Sequence, residues 1–231
     1  MDGNPENPWA CAVGDRKLEA AAHLLRRRFR DSPRILAVGC GDGTEAAVLA
    51  ELLDCEVVGV DVVDRFHPDA ERRVELVRAD ARQLPFPDNS FDVVFSYHAL
   101  EHIPEADKAL REIGRVVRPK GSLWIGTPNR SRLLGYLGSR DASARDKVMW
   151  NLEEWLMRVR GRFRNELGAH AGFTGSELRE MLESDFEAVE DETSAYYALL
   201  YARHQWLLAT LERLRLGRYV YPAIYFAAER T

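Results

Sequence analysis

Cysteine is scarce in this sequence: three occur, Cys11, Cys40 and Cys55, odd in number and without CxxC spacing. That pattern speaks against a disulfide framework and against a structural zinc site. No run approaches the ~18 apolar residues that a membrane-crossing helix needs. The first fifteen residues are polar and mildly acidic and lack the apolar core of a secretory signal. Together these absences make the reducing cytoplasm the expected compartment. A basic surplus is missing as well: 32 Lys and Arg stand against 37 Asp and Glu, for a net charge of -5. No nucleic-acid partner is therefore expected. Internal repeats and low-complexity segments are also lacking.

What is present suits one α/β domain. At 231 residues the chain can bury a real core but is short for two domains, so residues 1–231 are read as a single unit. Helical spacing of Leu18, Ala21, Ala22, Leu25 and Phe29 predicts an amphipathic helix over 16–30. Short apolar runs at 35–38, 57–60, 74–77, 91–95 and 122–125 read as strands, with helices at 44–53 and 106–117. That alternation implies βαβ units and a parallel sheet. Beyond residue 130 the rhythm changes. Residues 131–170 hold no strand signal and carry a local charge of +3, with Leu152, Trp155, Leu156 and Val159 on one helical face. This segment is expected to be a helical embellishment or a lid. A helix near 176–182, a strand at 186–189, a long apolar helix over 195–216 and a last strand at 220–227 complete the reading.

The strongest local signal is Val38-Gly39-Cys40-Gly41-Asp42-Gly43-Thr44, between a strand and a helix. Glycines let the backbone turn tightly and approach a ligand without a Cβ intervening, while the helix N-terminus offers amides and partial positive charge. Thr44 stands where a dinucleotide fold usually has its last glycine. Asp61 ends the second strand, 22 residues after Gly39, where an acid accepts hydrogen bonds from the ribose hydroxyls of an adenosine. At this point S-adenosylmethionine and NAD both remain open. Asp80 follows the third strand, placed to accept from an adenine amino group, and the small Ala81 lets the ring lie flat.

Further on come Leu84-Pro85-Phe86-Pro87-Asp88-Asn89-Ser90-Phe91-Asp92, then Leu100-Glu101-His102-Ile103, then Arg118-Pro119-Lys120-Gly121. With the glycine turn, Asp61 and Asp80-Ala81 these runs closely resemble, in order and spacing, the class I S-adenosylmethionine-dependent methyltransferases. The likeness is greatest to the group that includes the ubiquinone and menaquinone biosynthesis enzymes. It covers residues 35–125. It implies a Rossmann-like, seven-stranded, mostly parallel sheet with helices on both faces and an antiparallel last strand. It also implies cofactor contacts at Gly39, Gly41, Asp61, Asp80, Ala81 and Ser96; the adjoining Cys40, Gly43 and Val62 complete the expected set. Lys120 stands where the family often has glycine, a change expected to be harmless at an exposed turn.

His98-Ala99-Leu100-Glu101-His102 spells an inverted zinc-protease pattern, but the run begins at a strand mouth, so no metal is expected. His102 reads as a structural histidine. His98, beside the expected methyl group, is either a general base or a wall of the pocket. His170 reads as a rim or lid residue, with a role as base the lesser alternative, and Thr174 with Glu177 as a capping box. The expected reaction is methyl transfer to oxygen or carbon of a small-molecule acceptor. The rivals are an NAD-dependent oxidoreductase and a non-catalytic protein that binds the same cofactor. The sequence leaves a homodimer and peripheral membrane contact open.

Overall fold

The computed structural model describes residues 16–63, 65–135, 143–165 and 171–231; Cys11 and His170 lie outside them. Apolar spacing at the start gives α1 (Arg16–Leu25), with Leu18, Ala21, Ala22 and Leu25 buried. It ends sooner than expected, in a 3-10 turn over Arg26–Arg28. Then follow β1 (Arg34–Val38), α2 (Thr44–Leu53), β2 (Glu56–Asp61), the single turn α3 (Pro68–Glu71), β3 (Glu75–Arg78) and β4 (Phe91–Tyr97). After these come α4 (Ala106–Val116), β5 (Val117–Pro128), α5 (Ala144–Val159), α6 (Gly175–Glu183) and β6 (Glu187–Asp191). The chain closes with α7 (Thr193–Leu200), α8 (Gln205–Arg213), α9 (Gly217–Val220) and β7 (Ala223–Glu229).

The seven strands form one sheet in the order β3-β2-β1-β4-β5-β7-β6. The first five run parallel, and β7 lies antiparallel between β5 and β6. Because successive strand residues face opposite sides, the apolar runs feed two cores. Ile35 and Ala37 pack with α1 and α2, whereas Leu36 and Val38 pack with α4 and α6. Strands buried on both faces are apolar throughout, which is why the sequence showed them as runs.

Register then fixes the functional edge. Val38 pairs with both Val60 and Ser96, and Asp61 pairs with Arg78. The turn after β1, the acid ending β2, the loop after β3 and the residue after β4 therefore emerge side by side. They meet where the strand order reverses, between β1 and β4, the crevice at which open α/β sheets bind ligands.

Two expectations are corrected, and one face is given its direction. The apolar stretch 195–216 is not one helix: it breaks at Tyr201 and passes through a 3-10 turn, Ala202–His204. Tyr196 and Tyr197 bury α7 against the sheet, whereas α8 buries none of its residues, so the chain bends away once its packing ends. Lys120 is exposed but adopts a φ of 62°, in the left-handed region that costs an L side chain about 1 kcal/mol. Finally, α5 turns its apolar face outward, and the only residue it buries is Glu154.

Candidate active site

The glycine turn is held from below. The amides of Gly39 and Cys40 donate to the carbonyl of Val60 at 2.8 and 3.2 Å. Gly39, Gly41 and Gly43 all have positive φ, the conformation glycine adopts without a Cβ penalty. A Cβ on Gly39 would lie 2.1 Å from that of Ala99, and one on Gly43 would strike Leu76 at 2.4 Å. Gly41 differs: a Cβ there would meet nothing within 4 Å. Its backbone borders open space, the cradle a bound ligand can approach.

Asp61 serves that turn directly. Its Oδ2 accepts from the Gly41 amide at 2.8 Å, and its Oδ1 accepts from the Val63 amide at 3.1 Å. Each carboxylate oxygen can accept twice, so capacity remains toward the cleft. Asp80 stands across from it. Arg82 donates to Asp80 through its backbone amide at 2.8 Å and its guanidinium at 2.6 Å. Those bonds hold the Asp80 carboxyl below its usual range.

Between these groups opens a cleft of about 500 Å³. Of the residues expected to bind cofactor, Gly39, Gly41, Asp61, Val62, Asp80 and Ala81 line it, as does His98. Cys40, Gly43 and Ser96 do not. Cys40 is buried under the turn, and burial with the nearby Asp61 charge pushes its thiol up to about 12, which removes it as a nucleophile. Gly43 precedes α2. Ser96 is buried in the sheet, and its hydroxyl has no hydrogen-bond partner among the described residues.

The far wall is made by the segment after β4. His98 sits at a φ of 53° and anchors its amide on the carbonyl of Gly126 at 2.8 Å. A bulky residue held at positive φ is a strained one, of the kind concentrated at functional sites. Its ring meets Tyr97 edge-on, with centroids 4.5 Å apart. Burial lowers its pKa to about 4, with the positive charges of Lys17, His102 and Arg132 adding to the effect. The ring is therefore neutral at pH 7.

Behind it lies a group that the sequence reading passed over. Glu101 is buried, and one of its oxygens stands 3.8 Å from both His98 Nδ1 and His102 Nε2. Its other oxygen accepts from the Thr127 hydroxyl at 3.1 Å. The signal was an acid flanked by two histidines on an apolar background. His102, read as a structural histidine, is half exposed and also lines the cleft with Ile103 and Pro104. Thr127, Asn129 and Arg130 act as staples at the end of β5. Asn129 donates to the carbonyls of Arg218 and Tyr221, and Arg130 to that of Gly172. The expected capping box of Thr174 and Glu177 is present at the start of α6.

Comparisons with known proteins bear on the domain and its fold. Residues 36–125 match the family model described as a methyltransferase domain. The chain is 36% identical over 107 residues to 27-O-demethylrifamycin SV methyltransferase of Amycolatopsis mediterranei, covering 42% of this chain and 39% of that one. It is 37% identical over 110 residues to a fatty-acid O-methyltransferase of Mycolicibacterium smegmatis, covering 44% and 39%. The matched stretch thus spans about two fifths of the length of these curated relatives. Among solved structures, phosphoethanolamine N-methyltransferase 2 of Haemonchus contortus superposes with a TM-score of 0.60 at 21% identity. That superposition covers 94% of this chain and 53% of the other, and it speaks for the fold. Residues 36–125 are thus similar to a methyltransferase domain, and the chain shares its fold with this solved methyltransferase.

Proposed function

We propose that this protein binds S-adenosylmethionine in the cleft and catalyses in-line transfer of its methyl group to oxygen or carbon of a small, largely apolar acceptor. One observation carries the reading: two carboxylates, Asp61 and Asp80, flank the open backbone of Gly41 and face a neutral histidine across about 500 Å³. The residues suit the group. Asp61 retains acceptor capacity for ribose hydroxyls, Asp80 accepts from the adenine amino group beside Arg82, and Ala81 and Ile103 offer apolar surface for the purine. Thr44 in place of a last glycine favours this cofactor over NAD. The complete acidic pair favours an enzyme over a non-catalytic binder.

When bound, the cofactor supplies a methyl group already made electrophilic by its positively charged sulfur. The chain's task is then alignment, which can contribute ~7–11 kcal/mol in favourable cases. The glycine turn and Asp61 hold the nucleoside end. His98, neutral at pH 7, takes the acceptor's proton through Nε2, the nitrogen turned away from Glu101. Glu101 stands behind that ring, 3.8 Å from Nδ1. A base placed in this way contributes ~10²–10⁴-fold when the nucleophile is a hydroxyl. The named relatives act on a rifamycin and on fatty acids, which supports an apolar acceptor here. The free thiols Cys40 and Cys55 suit a reducing, cytoplasmic setting, and no described helix is long and apolar enough to cross a membrane.

The test is incubation with methyl-labelled S-adenosylmethionine and a fractionated metabolite extract, followed by mass spectrometry. A labelled small molecule is expected, its formation abolished by excess S-adenosylhomocysteine. Failure to bind S-adenosylmethionine, with measurable binding of NAD, would sink the proposal.

A further inference from the structure

Helix α5 is built inside out. Its protein-facing side is polar: Asn151 exchanges hydrogen bonds with the backbone of Gly135, donating at 3.2 Å and accepting at 2.7 Å. Glu154, buried, pairs with Arg132 at 3.1 Å and Arg158 at 2.7 Å. Arg158 also donates to the carbonyl of Arg130 and stacks over Phe163. The opposite side is apolar. Val148, Leu152, Trp155, Leu156 and Val159 recur at helical spacing, and each is at least 44% exposed, Val159 reaching 87%. A surface helix ordinarily does the reverse, because burial of the apolar stripe is what holds it in place. Here a buried ionic cluster, with the Trp155 indole donating to the carbonyl of Leu133 at 2.8 Å, holds the helix and leaves the rest of its stripe facing outward.

Charge identifies what the stripe can meet. Residues 143–165 carry six basic and three acidic side chains, in a chain of net charge -5. Arg145 lies within the exposed arc, and Arg160, Arg162 and Arg164 are exposed just beyond its end. A helix with Leu, Trp and Val on one side and arginines beside them is the pattern that lies in a bilayer interface. Two copies of this face would set arginines against arginines, whereas an anionic lipid surface neutralises them. The helix hangs from Arg130 and Arg132, which leave β5 at the same sheet edge as the cleft.

We infer that α5 is a docking face for anionic lipid bilayers, seating its apolar stripe among the acyl chains with the arginines on the headgroups. The inference stands apart from the methyl-transfer reading, and its test needs no turnover. The 231-residue chain is sedimented with vesicles of phosphatidylcholine alone and of phosphatidylcholine mixed with phosphatidylglycerol. Binding is expected to the mixed vesicles and to fall with salt. Each arginine neutralised should weaken it about fivefold, so Arg160→Gln, Arg162→Gln and Arg164→Gln combined should cost on the order of a hundredfold. Val159→Glu should lower binding at an exposed position that leaves the circular dichroism spectrum unchanged. Absence of binding to either vesicle overturns the inference, as does equal binding to both that ignores the arginine changes. A dimer in sedimentation velocity that Val159→Glu dissociates also overturns it, by assigning the face to a second copy.

Discussion

Replacing Asp61 with asparagine keeps the size of the side chain and changes its hydrogen bonding. The native carboxylate accepts from Gly41 on one oxygen and from Val63 on the other. However the amide is turned, its NH₂ faces one of those backbone donors, and that bond is lost. At this half-exposed position the loss should lower stability by about 1 kcal/mol. Cofactor affinity should fall further, because the acceptor sites left for the ribose are halved and the charge is gone. Hydrogen bonds to a charged group contribute about 1.5–3 kcal/mol, which corresponds to roughly tenfold to over a hundredfold in affinity. Calorimetric titration with S-adenosylhomocysteine measures the second effect, and urea unfolding measures the first. If the variant unfolds about 1 kcal/mol earlier but binds as tightly as the parent, Asp61 is a brace for the turn and not the ribose acceptor.

Three further outcomes follow from other parts of the molecule. Lys120→Gly should stabilise the protein by about 1 kcal/mol, since it relieves a left-handed backbone at an exposed turn; a lower urea midpoint would contradict the strain. Glu154→Ala should destabilise by about 3–5 kcal/mol, because it leaves Arg132 buried without its carboxylate. A loss under about 1 kcal/mol would mean that the pair is solvated. His98 should titrate near pH 4 in an NMR experiment. Its folded pKa lies below the unfolded value of 6.5, so the unfolded chain binds the extra proton first. The stability it contributes is complete above pH 6.5 and drains away as pH falls toward about 4. A midpoint near 6.5 would place the ring in solvent.

Most of the sheet was legible because its central strands are buried on both faces and announce themselves as apolar runs. The edge strand β6 is read at 186–189, close to its observed Glu187–Asp191. What stayed hidden was orientation. Helical spacing showed that Leu152, Trp155, Leu156 and Val159 share a side, but spacing does not say which side faces inward. That was decided by Glu154 meeting Arg132, 22 residues away in the chain. The break after Tyr201 was hidden similarly, since leucines continue the pattern across a bend set by where packing ends. In the cleft, Asp61 and Asp80 could be placed because strand ends are fixed by register. Glu101 could not, because its role arises from Thr127 on the neighbouring strand. Ser96 does not line the cleft, because alternation turns its side chain to the face on which Val94 packs.

A crystal structure of the complex with S-adenosylhomocysteine puts the central claim to the most direct trial. It should show the ribose hydroxyls donating to Asp61, the purine resting on Ala81 with its amino group at Asp80, and the sulfur end directed toward His98. A nucleoside bound elsewhere, or a crevice filled by the protein's own side chains, would contradict it.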